Sequence, residues 1–205
     1  MMDRTDRHER FFLRSLSKKA FLYTEMINVN AVLFGDQNKL LKFNECEHPL
    51  AIQLGGNDPI KLGDSAIISE AYGYDEINLN IGCPSSKVQN GEFGAVLMKN
   101  PKLVAQCIKS IKDKVKIPVS VKCRIGVDDM NEDKDLSAFI KEVSDSGCKV
   151  FIVHARKAWL KGLSPKENRN IPPINYQRVY RLKEEFPDLE IIINGGLKKI
   201  EDSEK

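Results

Sequence analysis

Short apolar runs alternate with longer stretches of helical period along the whole chain, and that alternation restricts the fold more than any other feature. Strand-like runs lie at residues 21–26, 50–54, 76–81, 119–125, 150–153 and 190–194. Between them the spacing predicts helices at 7–18, 59–72, 102–114, 134–146 and 176–185, with a ragged helical tail from Leu197. Asp58-Pro59, Asn100-Pro101 and Asn175 read as helix starts, because a short polar cap satisfies free backbone N–H groups and Pro fits the first helical turn. Gly73 and Gly147 stand where helices should end. Strands separated by helices form βα units and a parallel sheet. Gln53, Lys122 and His154 follow apolar stretches near strand ends, with Asn78 beside them, as the active-site rim of a (β/α) barrel requires. The expected fold is therefore α/β, of the TIM (β/α)8 type.

The strand count is short of a whole barrel, which has eight strands and typically about 250 residues. Six strands and the stub of one more at Met1-Met2 make about seven βα units in 205 residues. One partial barrel, a single domain over 1–205, is the expected organisation. With 32 basic against 29 acidic residues the net charge is only +3, so affinity for nucleic acid has to come from a local basic face. The apolar runs are strand-sized, such as Ile191-Ile192-Ile193, and no membrane span is expected. Charged residues begin at Asp3 and Arg4, which argues against a secretory leader. Five cysteines without a Cys-x-x-Cys pair speak against a disulfide framework and against zinc, and fit a reducing cytoplasm.

Chemistry concentrates between Glu76 and Met98. Ile77, Leu79 and Ile81 alternate with Glu76, Asn78 and Asn80; Gly82 releases the strand and Pro84 stops it. Cys83 is thereby held on a loop at a strand tip, beside two amides that share one face. A buried structural cysteine is the competing account, since free cysteine is commonly core.

This segment resembles the signature of the tRNA-dihydrouridine synthases, in which an Asn-x-Asn-x-Gly-Cys-Pro strand end precedes a Gly-x-x-Gly-Ala-x-Leu-Met loop. Here these are Asn78 to Pro84 and Gly91 to Met98. The likeness extends from Met1-Met2-Asp3 through Val153-His154-Ala155-Arg156 to Asn194-Gly195-Gly196, and the run from Lys157 to Pro173 is similar to that of the A subfamily. The resemblance implies reduction of D-loop uridine in tRNA to 5,6-dihydrouridine, with flavin mononucleotide (FMN) as cofactor and NADPH as reductant. It also implies an eighth strand carrying a Gly-Arg phosphate loop and a C-terminal helical domain that grips tRNA. Neither is in this sequence, so the chain is expected to be truncated at both ends. A second polypeptide or a further C-terminal segment would then complete the barrel, and FMN should be held weakly.

Reducing the C5–C6 bond of uracil needs a hydride, which no side chain donates, and a proton. Cys83 is the expected proton donor, since a thiol of ordinary pKa near 8.5 is protonated at neutral pH yet can release its proton. Lys122 interrupts an apolar strand, and an anionic flavin ring is the partner that such a buried cation calls for. Gln53 and Asn78 read as amides facing the amide edges of flavin or uracil. The resemblance puts His154 beside the flavin and adds Met1 and Met2 to the cofactor set. Asn194-Gly195-Gly196 offers backbone N–H groups that a phosphate can approach closely. For RNA the candidates are Asn80 and a basic cluster of Arg156, Lys157, Trp159, Lys166 and Arg169, able to pair with phosphate and to stack on an extruded base. No metal is expected. Two other readings stand beside this one: a small-molecule FMN oxidoreductase of the dihydroorotate dehydrogenase type, which would not need the basic cluster, and a non-catalytic remnant of the family.

Overall fold

The computed structural model describes residues 4–199. Six strands, β1 (Leu22–Asn28), β2 (Leu50–Gly55), β3 (Glu76–Ile81), β4 (Val119–Arg124), β5 (Val150–His154) and β6 (Glu190–Asn194), form one sheet in sequential order, every neighbouring pair parallel. Helices α1 (Arg7–Leu16), α2 (Val29–Phe34), α3 (Gln37–Leu41), α4 (Pro59–Ala71), α5 (Ser86–Asn90), α6 (Pro101–Lys112), α7 (Lys134–Asp145) and α8 (Tyr176–Glu185) connect them. Sequential order with a helix between each pair of successive strands is the winding of a (β/α) barrel, here an open arc among the described residues.

Each expected strand is present, with ends shifted by three residues or fewer. The expected caps form as well. Asp58 accepts from the backbone N–H groups of Ile60 and Lys61, Asn100 from Leu103 and Asn175 from Arg178. Gly73 and Gly147 take φ of +97° and +101°, a left-handed geometry natural only to glycine. The short helices α2, α3 and α5 have no counterpart in the sequence reading, because one or two turns cannot display a period. Residues 197–199 are not helical, and the rest of the expected tail lies outside the described residues. Met1 and Met2, with the strand stub they were to form, also lie outside them.

One face of the sheet packs Leu54, Ile77, Leu79, Val121, Phe151 and Val153 under the helices, all fully buried. Each such side chain is worth roughly 1.5–3 kcal/mol of transfer free energy. The opposite face carries Gln53, Glu76, Asn78, Asn80, Ser120, Lys122, Arg124 and His154, as alternation along the strands requires. A polar interior on an apolar shell is the arrangement that positions the site. Among the described residues no helix is long and apolar enough to cross a membrane.

Candidate active site

Cys83 follows β3 by two residues, and the local sequence explains how it is held. The side chain of Asn80 accepts from the backbone N–H groups of Gly82 (3.1 Å) and Cys83 (2.9 Å), a short Asx turn that bends the chain across the strand end. The Cys83 carbonyl accepts from the Ala95 N–H at 2.9 Å. Gly94, at φ +73°, permits that approach: a Cβ there would stand 2.7 Å from the Cys83 carbonyl oxygen and collide with a Val88 methyl. The Gly-Ala pair of the downstream loop is thus a seat for the cysteine. The Cys83 thiol is half-buried, 3.6 Å from the Ser85 hydroxyl. Cys107, Cys123 and Cys148 are buried, and burial pushes each of these thiols up to about 12.

Three amides lie in register behind this loop. Gln53 pairs with Asn78, and Asn78 with Ser120, across adjacent strands. Asn80 Nδ2 donates to Gln53 Oε1 (2.8 Å), Gln53 Nε2 to Asn78 Oδ1 (2.7 Å), and Asn78 Nδ2 to Ser120 Oγ (2.7 Å). Asn78 is 0% exposed and occupied on both sides, so it supports its neighbours from within the protein. Asn80, two residues further along β3, stands nearer the mouth, while Gln53 lies level with Asn78 and keeps 5% exposure.

Lys122, half-buried on β4, donates to Asn194 Oδ1 at 3.0 Å, which joins two sequence-predicted residues across β5. Burial, and then the charge of Arg124, push the Lys122 ammonium down to about 8. His154 closes β5, 7% exposed. Burial first, then the cations Arg124, Lys122, Arg156 and Arg169, push its imidazole down to about 3, so it is neutral at physiological pH. The turn Gly195-Gly196 takes φ of +95° and +75°. A Cβ on Gly195 would collide with the His154 ring and one on Gly196 with Ile174, so only a bare backbone fits beside the histidine. Tyr176 donates its hydroxyl to the Gly195 carbonyl at 2.7 Å and fixes the turn.

Arg124 was missed in the sequence, although it lies two residues after Lys122 and must share its face. Its guanidinium donates to the carbonyls of Gly82 (3.3 Å), Lys157 (3.3 Å) and Asn168 (2.8 Å), tying the loops after β3 and β5 to the end of β4. Burial lowers its pKa to about 10, leaving it charged at neutral pH. Asn168, fully buried, folds the basic loop: its amide accepts from the Trp159 N–H and donates to the carbonyls of Trp159, Leu163 and Ser164. Nothing in the sequence distinguishes it from any other loop asparagine. Gln89 of α5 bridges the carbonyls of Pro84 (2.7 Å) and Leu160 (2.9 Å), a second tie between the cysteine loop and the basic loop.

The basic cluster is split by these contacts. Arg156 donates to the Pro172 carbonyl, while its Nε is buried with no partner among the described residues. Lys157 donates to the Met130 carbonyl (2.7 Å) and lies 5.8 Å over the Trp159 ring. Trp159 (42% exposed), Lys166 and Arg169 are the members open to solvent. Among the described residues no group of three or more His, Cys, Asp or Glu could hold a metal ion.

The residues fit a flat, amide-edged anionic group with a phosphate. They present a cation of lowered pKa, a neutral imidazole, amide edges, a glycine turn closed to any side chain and an arginine nitrogen with no partner among the described residues. The dihydrouridine synthase family profile matches residues 1–205. The tRNA-dihydrouridine(20/20a) synthase of Escherichia coli K12 is 57% identical over 204 residues, covering 99% of this chain and 59% of that protein. Those of Salmonella typhi and Synechocystis are each 56% identical, over 206 and 201 residues, covering 62% and 60% of their own lengths. The chain thus spans about 60% of the length of these curated relatives. A crystal structure from Burkholderia cenocepacia J2315, described as a lyase/mutase, superposes with a TM-score of 0.51 at 10% identity, over 94% of this chain and 76% of that one. At that identity the likeness concerns the barrel fold alone.

Proposed function

The chain belongs to the dihydrouridine synthase family, and from that premise we propose that its polar mouth reduces uridine in tRNA to dihydrouridine, with FMN as cofactor and NADPH as reductant. The observation that carries this reading is the half-buried Cys83 thiol, held by the Asn80 turn above a mouth lined by Lys122, Arg124 and His154. Bound FMN would supply the hydride. Cys83 delivers the proton to the other carbon of the pyrimidine double bond. Lys122 holds a positive charge against the flavin ring, and its lowered pKa marks a cation that gains from an anionic neighbour. Gln53 reads an amide edge of the ring system, and neutral His154 donates or accepts one hydrogen bond without adding charge. Asn194, Gly195 and Gly196 receive the phosphate. Arg124 and Arg169 give the mouth its positive field, while Trp159 and Lys166 extend it towards the RNA backbone and an extruded base.

In the chain completed with the C-terminal segment that its relatives carry, Cys83→Ala separates the two half-reactions. Reduction of the flavin by NADPH should persist, while single-turnover oxidation of the reduced flavin by tRNA should slow by roughly 10²–10⁴-fold, the usual loss on removing a general acid. An unchanged rate of oxidation by tRNA would remove Cys83 from the reaction.

A further inference from the structure

The interior amides form one hydrogen-bonded line with a single direction. Backbone N–H groups can only donate, so Asn80 must present its oxygen to Gly82 and Cys83, and hence its NH₂ to Gln53. Gln53 must then accept at Oε1 and donate from Nε2 to Asn78, which in turn donates to the Ser120 hydroxyl. Ser120 accepts from Asn78 and spends its single O–H on Glu76 Oε1. The far end agrees as long as Glu76 is ionised, when it can only accept from Ser120; burial raises its pKa, and the Ser120 hydrogen bond works against that rise. The two backbone N–H groups at one end and ionised Glu76 at the other favour the same polarity, and the three amides between them hold one orientation only while both pulls act together. All five side chains are buried, so water cannot substitute for a missing link.

We propose that Glu76, at the opposite end of the strands from Cys83, is a positioning residue that acts through Ser120 to set which way the Asn78, Gln53 and Asn80 amides point, and thereby the seat of the Cys83 loop. The consequence for chemistry rests on the reading of the mouth as a flavin and uridine site; the relay itself does not. With the relay in place, Gln53 keeps one N–H and one carbonyl lone pair uncommitted and Asn80 keeps one N–H, each on a fixed side. If the chain of donors reverses, those sides exchange, and the Gly82 and Cys83 N–H groups lose their acceptor.

The test needs neither flavin nor RNA. In the 205-residue chain carrying Cys46→Ser, which removes the exposed thiol, Glu76→Gln keeps an acceptor for Ser120 and Glu76→Met removes it at similar volume. In Glu76→Met the side-chain amide NMR signals of Asn78, Gln53 and Asn80 should all move. Alkylation of Cys83 by iodoacetamide should change roughly three- to tenfold, the equivalent of one lost hydrogen bond. Glu76→Gln should restore both. Ser120→Ala interrupts the line one link later and should reproduce Glu76→Met, which serves if the latter does not fold. The proposal is overturned if only Asn78 responds, if Cys83 alkylates at the parent rate, or if Glu76→Gln behaves like Glu76→Met. Titration of the parent chain with FMN up to millimolar concentration, which allows for weak binding, reports separately on the flavin reading: no binding even there would sink that reading and leave the relay standing.

Discussion

Two residues on neighbouring strands, Lys122 and His154, carry the electrostatic character of the mouth. In each, burial and then neighbouring cations disfavour the protonated form. For His154 the folded value of about 3 lies below the unfolded 6.5, so the neutral ring is favoured in the fold. Its contribution to stability is present in full above pH 6.5 and is lost as the pH falls towards 3. The slope in that window approaches about 1.4 kcal/mol per pH unit for a single group. Between about pH 6.5 and pH 4.5 the parent chain should therefore lose about 2–3 kcal/mol more than His154→Gln. The groups facing the ring are Arg124, Lys122, Arg156 and Arg169, all cationic, so no neighbouring carboxylate offsets the loss. Urea unfolding of the two proteins across that range measures the difference, and parallel profiles would refute the assignment of a buried neutral imidazole.

At the scale of elements, the turn after β3 depends on one glycine whose backbone is left-handed and crowded. Gly94 meets the Cys83 carbonyl and Val88, whereas Gly162, at a comparable φ of +82°, meets nothing within 4 Å. Gly162→Ala should cost only the left-handed strain, about 1–2 kcal/mol. Gly94→Ala adds a collision and should cost more, about 2–4 kcal/mol, with an altered rate of Cys83 alkylation. Equal losses in chemical denaturation would show that the loop yields freely. The same comparison explains what could be read in advance. The strands and long helices were legible because burial imposes periods of two and 3.6 on their residues, and Asp58, Asn100 and Asn175 mark helix starts by local chemistry. The place of Cys83 on a loop at the end of β3 was legible because Gly82 and Pro84 bracket a strand end. The roles of Gly94, Arg124 and Asn168 were not, because each depends on a loop brought close by the winding of the sheet, and residue type alone carries no record of that neighbour. The line of amides was half legible: Asn78 and Asn80 share a face by alternation, but their join to Gln53, Ser120 and Glu76 is set by register across three strands.

At the scale of the whole molecule, burial declines from the middle of the sheet to one side. Every residue of β3 is buried, with β2 and β4 pairing on its two sides. β6 pairs only with β5 among the described residues, no residue of it is fully buried, and Ile192 is 37% exposed. A strand that is paired on one side and uncovered on its face has few contacts to lose when it opens. It ends in Asn194, whose Oδ1 Lys122 reaches, and leads into the Gly195-Gly196 turn of the proposed phosphate seat. Local opening of β6 should therefore release Lys122 before the core unfolds. Two measurements test this gradient together. Amide hydrogen exchange should be slowest in β3 and β4 and fastest, among the strands, in β6. In denaturant unfolding Leu79→Ala should cost about 2–5 kcal/mol, as for a fully enclosed leucine, and Ile192→Ala less than about 1 kcal/mol. Protection of β6 equal to that of β3, or equal losses for the two substitutions, would mean that this edge is as firmly held as the centre and that the phosphate seat is fixed before any ligand arrives.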